Sequence, residues 1–484
     1  MNEILVASCS VIFFVTGFLL LNIIGRSRDI LDVAAGGLKA LTDSTMSEDD
    51  REAAVQQAAL SLLLRVTLTT LCFFLVLGAA FTPILLADLT AYSELSSVIG
   101  LMTRPFFLIG STLIATLILW LLSNLFGRKS APEQDGAYSA AEQMVHMIAF
   151  SGVMQTLAIA FDNFVFDLFG RKVVVEKHVF ITSLARGGTT ACLNALDSLE
   201  ACATTTYRDM PFIFSPFTWN GLGRLLGRKV ETRERAHGDG LEIHLDSPEA
   251  FDETFWLRYW PDHYEQDAIK PWTIASPHRA QALTRFFRKI VAIRSRSANI
   301  YVSKNNANIA RLPALRSLFP DCVIAIPLRR PGPHAASLHR QHLNFTKQQS
   351  DDAFVQRYME DIGHFEFGLA HRPIAFPGWQ KDQFTPDQAD YWLNYWIACF
   401  ETVLEQLDHV QIVTQDDLRA QPNRVLRALL TANDIPFSDA QDFRSFFRAG
   451  EDTTDEQVFS PDLLDAANQL YQKIVDTVSA QNLV

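Results

Sequence analysis

The chain has 484 residues, a formal net charge of −12 and 48% apolar residues. Its length allows more than one domain, and its acidic balance argues against a nucleic-acid partner. The six cysteines are scattered, with neither C-x-x-C nor any other metal-ligand spacing. We therefore expect reduced, mostly buried thiols, which suit a domain that faces the cytosol.

Apolar residues are concentrated in the first quarter of the chain. Three stretches there are long enough to cross a bilayer, at residues 4–24, 66–87 and 105–125. Basic residues follow the first and third stretches, whereas the loop between the second and third is acidic. Because loops rich in Lys and Arg stay in the cytoplasm, we expect an external N-terminus, three crossings, and a cytoplasmic location for everything after residue 126.

The next segment connects this membrane region, residues 1–130, to the rest of the chain. Residues 131–170 are predicted to form a linker followed by an interfacial or domain-packing helix, since polar residues interrupt the apolar pattern of 140–169. From Lys172 onward, short apolar strands alternate with helices. This alternation predicts an α/β domain with a mainly parallel sheet over residues 171–484.

A glycine turn between a strand and a helix is the most informative feature of this domain. An apolar β-branched run ends at Thr182, the turn follows, and leucines at helical spacing come next. The turn has the sequence Arg186-Gly187-Gly188-Thr189-Thr190. Glycines let backbone N–H groups approach an anion, and a helix N-terminus supplies unpaired donors, so these residues predict a phosphate site. The turn lacks the lysine of the common nucleoside-triphosphate loop.

A second polar cluster follows a later strand. The buried run Cys322–Leu328 leads directly into Arg329, and Ser337 comes eight residues after that arginine. Because ligands bind at the carboxyl ends of parallel strands, we expect Arg329 and Ser337 to share one edge of the sheet with Arg186. A planar guanidinium and a hydroxyl suit a second phosphate group.

Together, the two segments resemble the donor site of sulfotransferases that use 3′-phosphoadenosine 5′-phosphosulfate (PAPS), bacterial members in particular. The resemblance spans roughly residues 175–440. It rests on the glycine turn, on Lys304-Asn305-Asn306, on the Arg-x-Pro that begins at Arg329, and on Ser337. The chain departs from the family pattern by having Arg186 where Lys is common, Arg330 where Asp is common, and Asp416 where Glu is common.

The resemblance implies a P-loop-like three-layer fold, and it implies that the two segments bind different parts of PAPS. The residues Arg186, Gly187, Gly188, Thr189 and Thr190 would hold the 5′-phosphosulfate, and Arg186 would also act in catalysis by stabilising the bridging oxygen as the S–O bond breaks. Arg329 and Ser337 would hold the 3′-phosphate, and no metal would be needed. The product would be the desulfated nucleotide, PAP.

The implied reaction moves a sulfuryl group to an acceptor hydroxyl and needs a base. We favour His237, in a glycine-flanked polar turn, with Glu234 second. The other candidates are His244, Asp239 and Glu253.

The resemblance and the three predicted spans would place the protein in a bacterial inner membrane. Its acceptor would be a carbohydrate, a lipid-linked glycan or a lipid at the cytoplasmic face. A P-loop kinase or NTPase and a non-catalytic membrane scaffold remain as alternatives, and the oligomeric state stays open.

Overall fold

A computed structural model describes residues 2–42, 48–112, 140–225, 233–234, 242–243, 245–249, 251–272, 276–447 and 456–480. The chain divides into two compact units, Met1–Met144 and Val145–Val484.

The first unit is helical. Its helices are α1 (Asn2–Leu20), α2 (Ile23–Thr42), α3 (Glu48–Leu89) and α4 (Leu95–Met102), and residues 105–112 are also helical. A small apolar core joins α1, the end of α3 and α4; its buried members are Val6, Ala7, Ile84, Ala87, Val98 and Leu101.

Two helices in the described parts of the chain are long and apolar enough to cross a membrane. They are the stretch Glu52–Leu89, which contains the predicted 66–87 span, and Gly152–Phe169. The predicted 4–24 span is broken, because Asn22 adopts a left-handed backbone (φ 48°) between α1 and α2. The two halves are bent by 44° and qualify as a third span only if they are taken together. Of the predicted 105–125 span, residues 113–125 lie outside the described residues.

The second unit is built on a five-stranded sheet of β1 (Lys177–Ile181), β2 (Cys202–Ala203), β5 (Ile300–Lys304), β6 (Val323–Leu328) and β7 (Gln411–Thr414). The strand order is β2-β5-β1-β6-β7, and every pairing is parallel. A separate antiparallel pair consists of β3 (Arg233–Glu234) and β4 (Glu242–Ile243). The α/β class and the parallel sheet are therefore confirmed.

Helices cover both faces of the sheet. The helices described from residue 140 onward are α5 (Ala140–Phe150), α6 (Gly152–Phe169), α7 (Thr189–Asp197), α8 (Pro216–Leu225), α9 (Glu253–Tyr259), α10 (Pro277–Ile293), α11 (Leu312–Leu318), α12 (Pro331–Asp351), α13 (Ala353–Asp361), α14 (Ala389–Leu404), α15 (Gln415–Ala420), α16 (Pro422–Ala432) and α17 (Pro461–Ala480). Because strand side chains alternate between faces, Phe180 joins the core beneath α10, α12 and α14, whereas Val179 and Ile181 join the core beneath α7 and α16.

Strand order determines where a ligand can enter. From β1 the chain first builds one side of the sheet, with β2 and β5, and then crosses to the other side, with β6 and β7. The crevice outside the carboxyl end of β1 is thus a topological switch point, the usual ligand position in open parallel sheets. Lys304 pairs in register with Ile181 at this same edge.

Candidate functional site

The glycine turn forms a tight loop between β1 and α7. Arg186 has φ 66° and Gly188 has φ 99°, so the backbone turns through left-handed conformations twice in three residues. A side chain at Gly188 would also place its Cβ 3.2 Å from Nε2 of Gln415. Gly188 caps α7, which begins at Thr189. The turn therefore presents the N-terminus of a helix to the switch point.

The second predicted segment meets this loop directly. Arg329 follows β6, and Ser337 lies in the second turn of α12. Nη1 of Arg329 donates a hydrogen bond to the carbonyl oxygen of Arg186 over 3.0 Å. Nε of Arg186 donates to Oγ of Ser337 over 3.3 Å. Segments more than 140 residues apart in the chain are thus joined at one point.

A cavity of about 420 Å³ opens between the two segments. Six of the predicted residues line it: Arg186, Gly188, Thr189, Thr190, Arg329 and Ser337. Gly187 lies in the same loop, where an added Cβ would come within 2.8 Å of Oγ of Ser183. Its missing side chain therefore lets the loop fold tightly rather than shaping the cavity wall.

A buried histidine supports the loop from behind. His334 is fully buried, and its Nε2 lies 2.8 Å from the carbonyl oxygen of Ala185. The indole N–H of Trp396 donates to Nδ1 of His334 over 3.2 Å. Because Nδ1 accepts, the proton resides on Nε2, which makes His334 a donor to the loop. No sequence pattern had indicated a role for His334.

A chain of polar side chains leads from the loop to a histidine on the cavity wall. Oγ1 of Thr189 donates to Oδ1 of Asn306 over 3.2 Å, and Nδ2 of Asn306 donates to Oε1 of Glu366 over 3.1 Å. Oε2 of Glu366 lies 3.5 Å from Nδ1 of His364. Asn306, His364 and Glu366 all line the cavity.

The charges around Glu366 keep it ionised. Burial by itself raises the pKa of this carboxyl, but His364, Lys304 and a backbone N–H outweigh the burial and lower the pKa to about 2. A charged carboxylate next to an imidazole orients the ring and fixes its tautomer, the arrangement found in many catalytic histidines. The His364–Glu366 pair lies in a loop between helices, where no periodic pattern marks it.

Lys304 contributes a nearly buried positive charge to the same cavity. Its Nζ lies 3.5 Å from Oε1 of Glu249, and both side chains are about 5% exposed. The hydroxyl of Tyr207 donates to the other oxygen of Glu249 over 3.0 Å. Lys304 is therefore held in place at the carboxyl end of β5 by a paired carboxylate.

Of the predicted bases, the structure describes Glu234 and Glu253. His237, His244 and Asp239 lie outside the described residues, and Glu234 is described only as part of β3, paired with Glu242 of β4. Glu253 lies at the start of α9 and is buried. It forms an ion pair with Arg311 and accepts a hydrogen bond from Nδ2 of Asn305 over 2.7 Å. Those contacts give Glu253 a structural role.

Two departures from the expected family pattern pair with each other. Nε of Arg330 donates to Oδ2 of Asp416 over 2.7 Å. The arginine that follows Arg329 is thus matched by the carboxylate at the start of α15. Since both side chains are largely exposed, this ion pair contributes little to stability.

No protein-family model and no curated protein matches the chain. Among solved structures, the chain is similar to a sulfotransferase from Alicyclobacillus acidocaldarius, with a TM-score of 0.33 and 11% identity over 64% of this chain and 96% of that one. It is also similar to sulfotransferases from Mycobacterium avium (TM-score 0.38, 12% identity, 74% and 95% covered) and Mycobacterium tuberculosis (0.34, 13%, 68% and 91%). Because these TM-scores and identities are low, the function has to be inferred from the residues of the site.

Proposed function

We propose that the cavity binds PAPS and that the protein transfers its sulfuryl group to a hydroxyl of a carbohydrate, a lipid-linked glycan or a lipid. One observation carries the proposal: two segments suited to separate phosphate groups meet at Arg186, Arg329 and Ser337 on the wall of one cavity. A donor with a 5′-phosphosulfate and a 3′-phosphate needs two such anion sites. The cavity volume also falls within the range of ligand pockets, about 300–1,000 Å³.

Each part of the donor has a matching group. The N-terminus of α7, with Thr189 and Thr190, receives the 5′-phosphosulfate. Arg329 and Ser337 receive the 3′-phosphate through a guanidinium and a hydroxyl. The aromatic rings of Phe446 and Phe447, on the cavity wall, provide surfaces for the adenine.

The reaction is an in-line displacement at sulfur. The acceptor oxygen forms a new S–O bond while the bond between sulfur and the bridging oxygen of the 5′-phosphate breaks, and PAP leaves with that oxygen. Arg186 stabilises the negative charge that develops on the bridging oxygen. Lys304 adds positive charge to the same wall.

His364 takes the acceptor proton in this proposal. Glu366 faces Nδ1 of the ring and favours the tautomer with the proton on Nδ1, in which Nε2 carries the lone pair that accepts a proton. Asn306 links the pair to Thr189, so the base and the anion loop share one hydrogen-bonded frame. His237 and Glu234 remain candidates from the sequence. We favour His364 because it lines the cavity.

We place the reaction at the cytoplasmic face of a bacterial inner membrane. Support comes from the stretch Glu52–Leu89, which has the length and hydropathy of a membrane span, and from the basic residues that flank the predicted spans. A membrane-anchored enzyme suits a membrane-associated acceptor.

Calorimetric binding to the full chain in detergent or nanodiscs tests the donor site. PAP should bind with micromolar affinity, and Arg186→Ala should weaken it at least tenfold, whereas Mg-ATP should bind much more weakly. If a folded protein binds no PAP, or prefers Mg-ATP, the donor assignment is wrong and a kinase or NTPase takes its place.

Turnover of PAPS tests the base separately. General bases contribute typically 10²- to 10⁴-fold, so His364→Asn should slow transfer by about that factor while PAP affinity stays within threefold. The control is His278→Asn, because His278 is exposed at the start of α10. Equal activity of the two variants would exclude His364 as the general base and leave His237 as the favoured candidate.

A further inference from the structure

Helix α6 exposes a row of large apolar side chains along one side, next to the exposed Thr156, Ala160 and Asp167. The large apolar side chains are Val153 (75% exposed), Leu157 (59%), Phe161 (51%), Phe164 (52%) and Leu168 (61%). Their spacing of four, four, three and four residues places them along one side of the helix. We call this set the apolar stripe; Phe169, 71% exposed, lies at its end.

The opposite face of α6 is tied to the second unit by polar contacts. Asp162 is fully buried, forms an ion pair with Nζ of Lys289 at 2.7 Å, and accepts two hydrogen bonds of 2.7 Å from Thr218. Near the start of the helix, Arg258 donates to Oε1 of Gln155 over 2.6 Å. These contacts hold the first and middle turns of α6 against the α/β unit.

The end of α6 is held in the same way. The ring of Phe166 packs edge-on against Phe217, with centroids 5.2 Å apart. Asp167 forms an ion pair with Arg285. The helix therefore lies on the unit along its whole length. It cannot cross a bilayer in this position, because its polar partners would have to enter the hydrocarbon with it.

We propose that the apolar stripe docks the second unit onto the surface of a lipid bilayer, with α6 lying parallel to the membrane plane. The rings of Phe161 and Phe164 are about half exposed, and Phe169 is 71% exposed. Together they leave roughly 300 Å² or more of apolar surface in water, which already reaches the size of the largest apolar patch on a typical soluble monomer. A lipid surface is the occupant because the same chain carries α3, whose stretch Glu52–Leu89 can cross a bilayer and keep the unit near it. A helix that is buried on one side and carries a row of large apolar side chains on the other fits the lipid–water interface.

Docking on lipid would hold the second unit in one orientation at the membrane. Without it, only the connecting chain would keep the unit near the bilayer. This inference does not depend on the donor or on the reaction, and it holds equally for a kinase or a scaffold.

Depth-dependent fluorescence quenching in the full chain tests the orientation. Single cysteines at Val153, Phe161 and Leu168 are labelled in turn, in nanodiscs containing lipids spin-labelled at different depths. The background replaces the partly exposed Cys9, Cys72 and Cys322 with serine, since the other three cysteines are buried. The control label is at Glu401, which is exposed on α14.

The three readings of the helix predict different depth profiles. If α6 lies flat, all three labels are quenched at the same shallow depth, and the Glu401 label is not quenched. If α6 crosses the bilayer, the label at Phe161 lies about 12 Å deeper than the label at Val153, since each residue rises 1.5 Å. If another part of the chain or a second copy covers the stripe, none of the three is quenched more than the control. Either of the last two results overturns the proposal.

A charge substitution provides a second, independent test. Leu157→Glu should reduce the quenching of a label at Phe164 severalfold and leave the thermal unfolding midpoint unchanged, because Leu157 is 59% exposed. The matched control is Val458→Glu, at an exposed apolar residue outside the stripe. Equal quenching in the two variants would mean that the stripe does not contact lipid.

Discussion

Replacing Arg329 separates a role in binding the 3′-phosphate from a role in holding the loop. Arg329 is 8% exposed, lines the cavity, and donates to the carbonyl oxygen of Arg186 over 3.0 Å. Hydrogen bonds to charged groups contribute about 1.5–3 kcal/mol. Arg329→Met should therefore weaken PAP binding roughly 10- to 150-fold, at about 1.4 kcal/mol per factor of ten.

AMP distinguishes the two roles, because it carries a 5′-phosphate and lacks the 3′-phosphate. We expect Arg329→Met to change AMP affinity less than threefold, and Ser337→Ala to weaken PAP by a smaller factor than Arg329→Met does. Titration calorimetry of both nucleotides provides the measurement, and Arg424→Met, at an exposed side chain of α16, is the control. Equal losses for PAP and AMP would mean that Arg329 acts only through the loop, and the 3′-phosphate assignment would be refuted.

Three further predictions concern stability and the loop. The pKa of Glu366 is lowered from an ordinary 4.5 to about 2, so its charged form stabilises the fold above pH 4.5, and this contribution is lost as the pH falls toward 2. Glu366→Gln should therefore make the unfolding free energy, measured by urea unfolding, less dependent on pH in this acidic range. Lys289→Met leaves Asp162 buried without its cation and should lower the unfolding free energy by about 3–5 kcal/mol. Arg424→Met, which breaks the exposed ion pair with Asp417, should lower it by less than about 1 kcal/mol. Gly188→Ala, at φ 99°, should lower the unfolding free energy by about 1–2 kcal/mol and weaken PAP binding; an unchanged affinity would mean that α7 does not hold the 5′-phosphate.

Local patterns made much of the α/β unit predictable. The strand that ends before the glycine turn, the helix that begins at Thr189, and the strand that leads to Arg329 are each short contiguous runs whose period identifies them. Because parallel strands end at one edge, the meeting of Arg186 with Ser337 also followed from the sequence.

Other features depend on contacts that no local pattern encodes. His364 and Glu366 reach the cavity through a loop that turns at Gly363, with φ 79°, and they are linked to the anion loop by Asn306. His334 supports the loop from α12 only because Trp396, on α14, packs beside it. Roles of this kind arise from packing between elements distant in the chain.

The membrane region shows the same limit. An apolar run of bilayer length predicts a span, yet the run at 4–24 is broken at Asn22, where the backbone is left-handed. Conversely, Gly152–Phe169 has the composition of a span but is tied to the α/β unit through Asp162. Composition shows that a helix is apolar enough to cross a membrane. Whether it packs on the rest of the protein instead depends on buried polar contacts such as those of Asp162, which composition does not show. The three-crossing orientation stays a prediction.

The most direct test of the central claim is sulfuryl transfer itself. The full chain in nanodiscs is incubated with ³⁵S-labelled PAPS and with lipid and glycan fractions of bacterial membranes, alongside Arg186→Ala as the matched inactive variant. We predict labelled product in at least one fraction, formed in equal amount with PAP, and at least 100-fold less product with the variant. A folded wild-type protein that binds PAP but labels no fraction above the level of Arg186→Ala would contradict the claim and favour a non-catalytic scaffold.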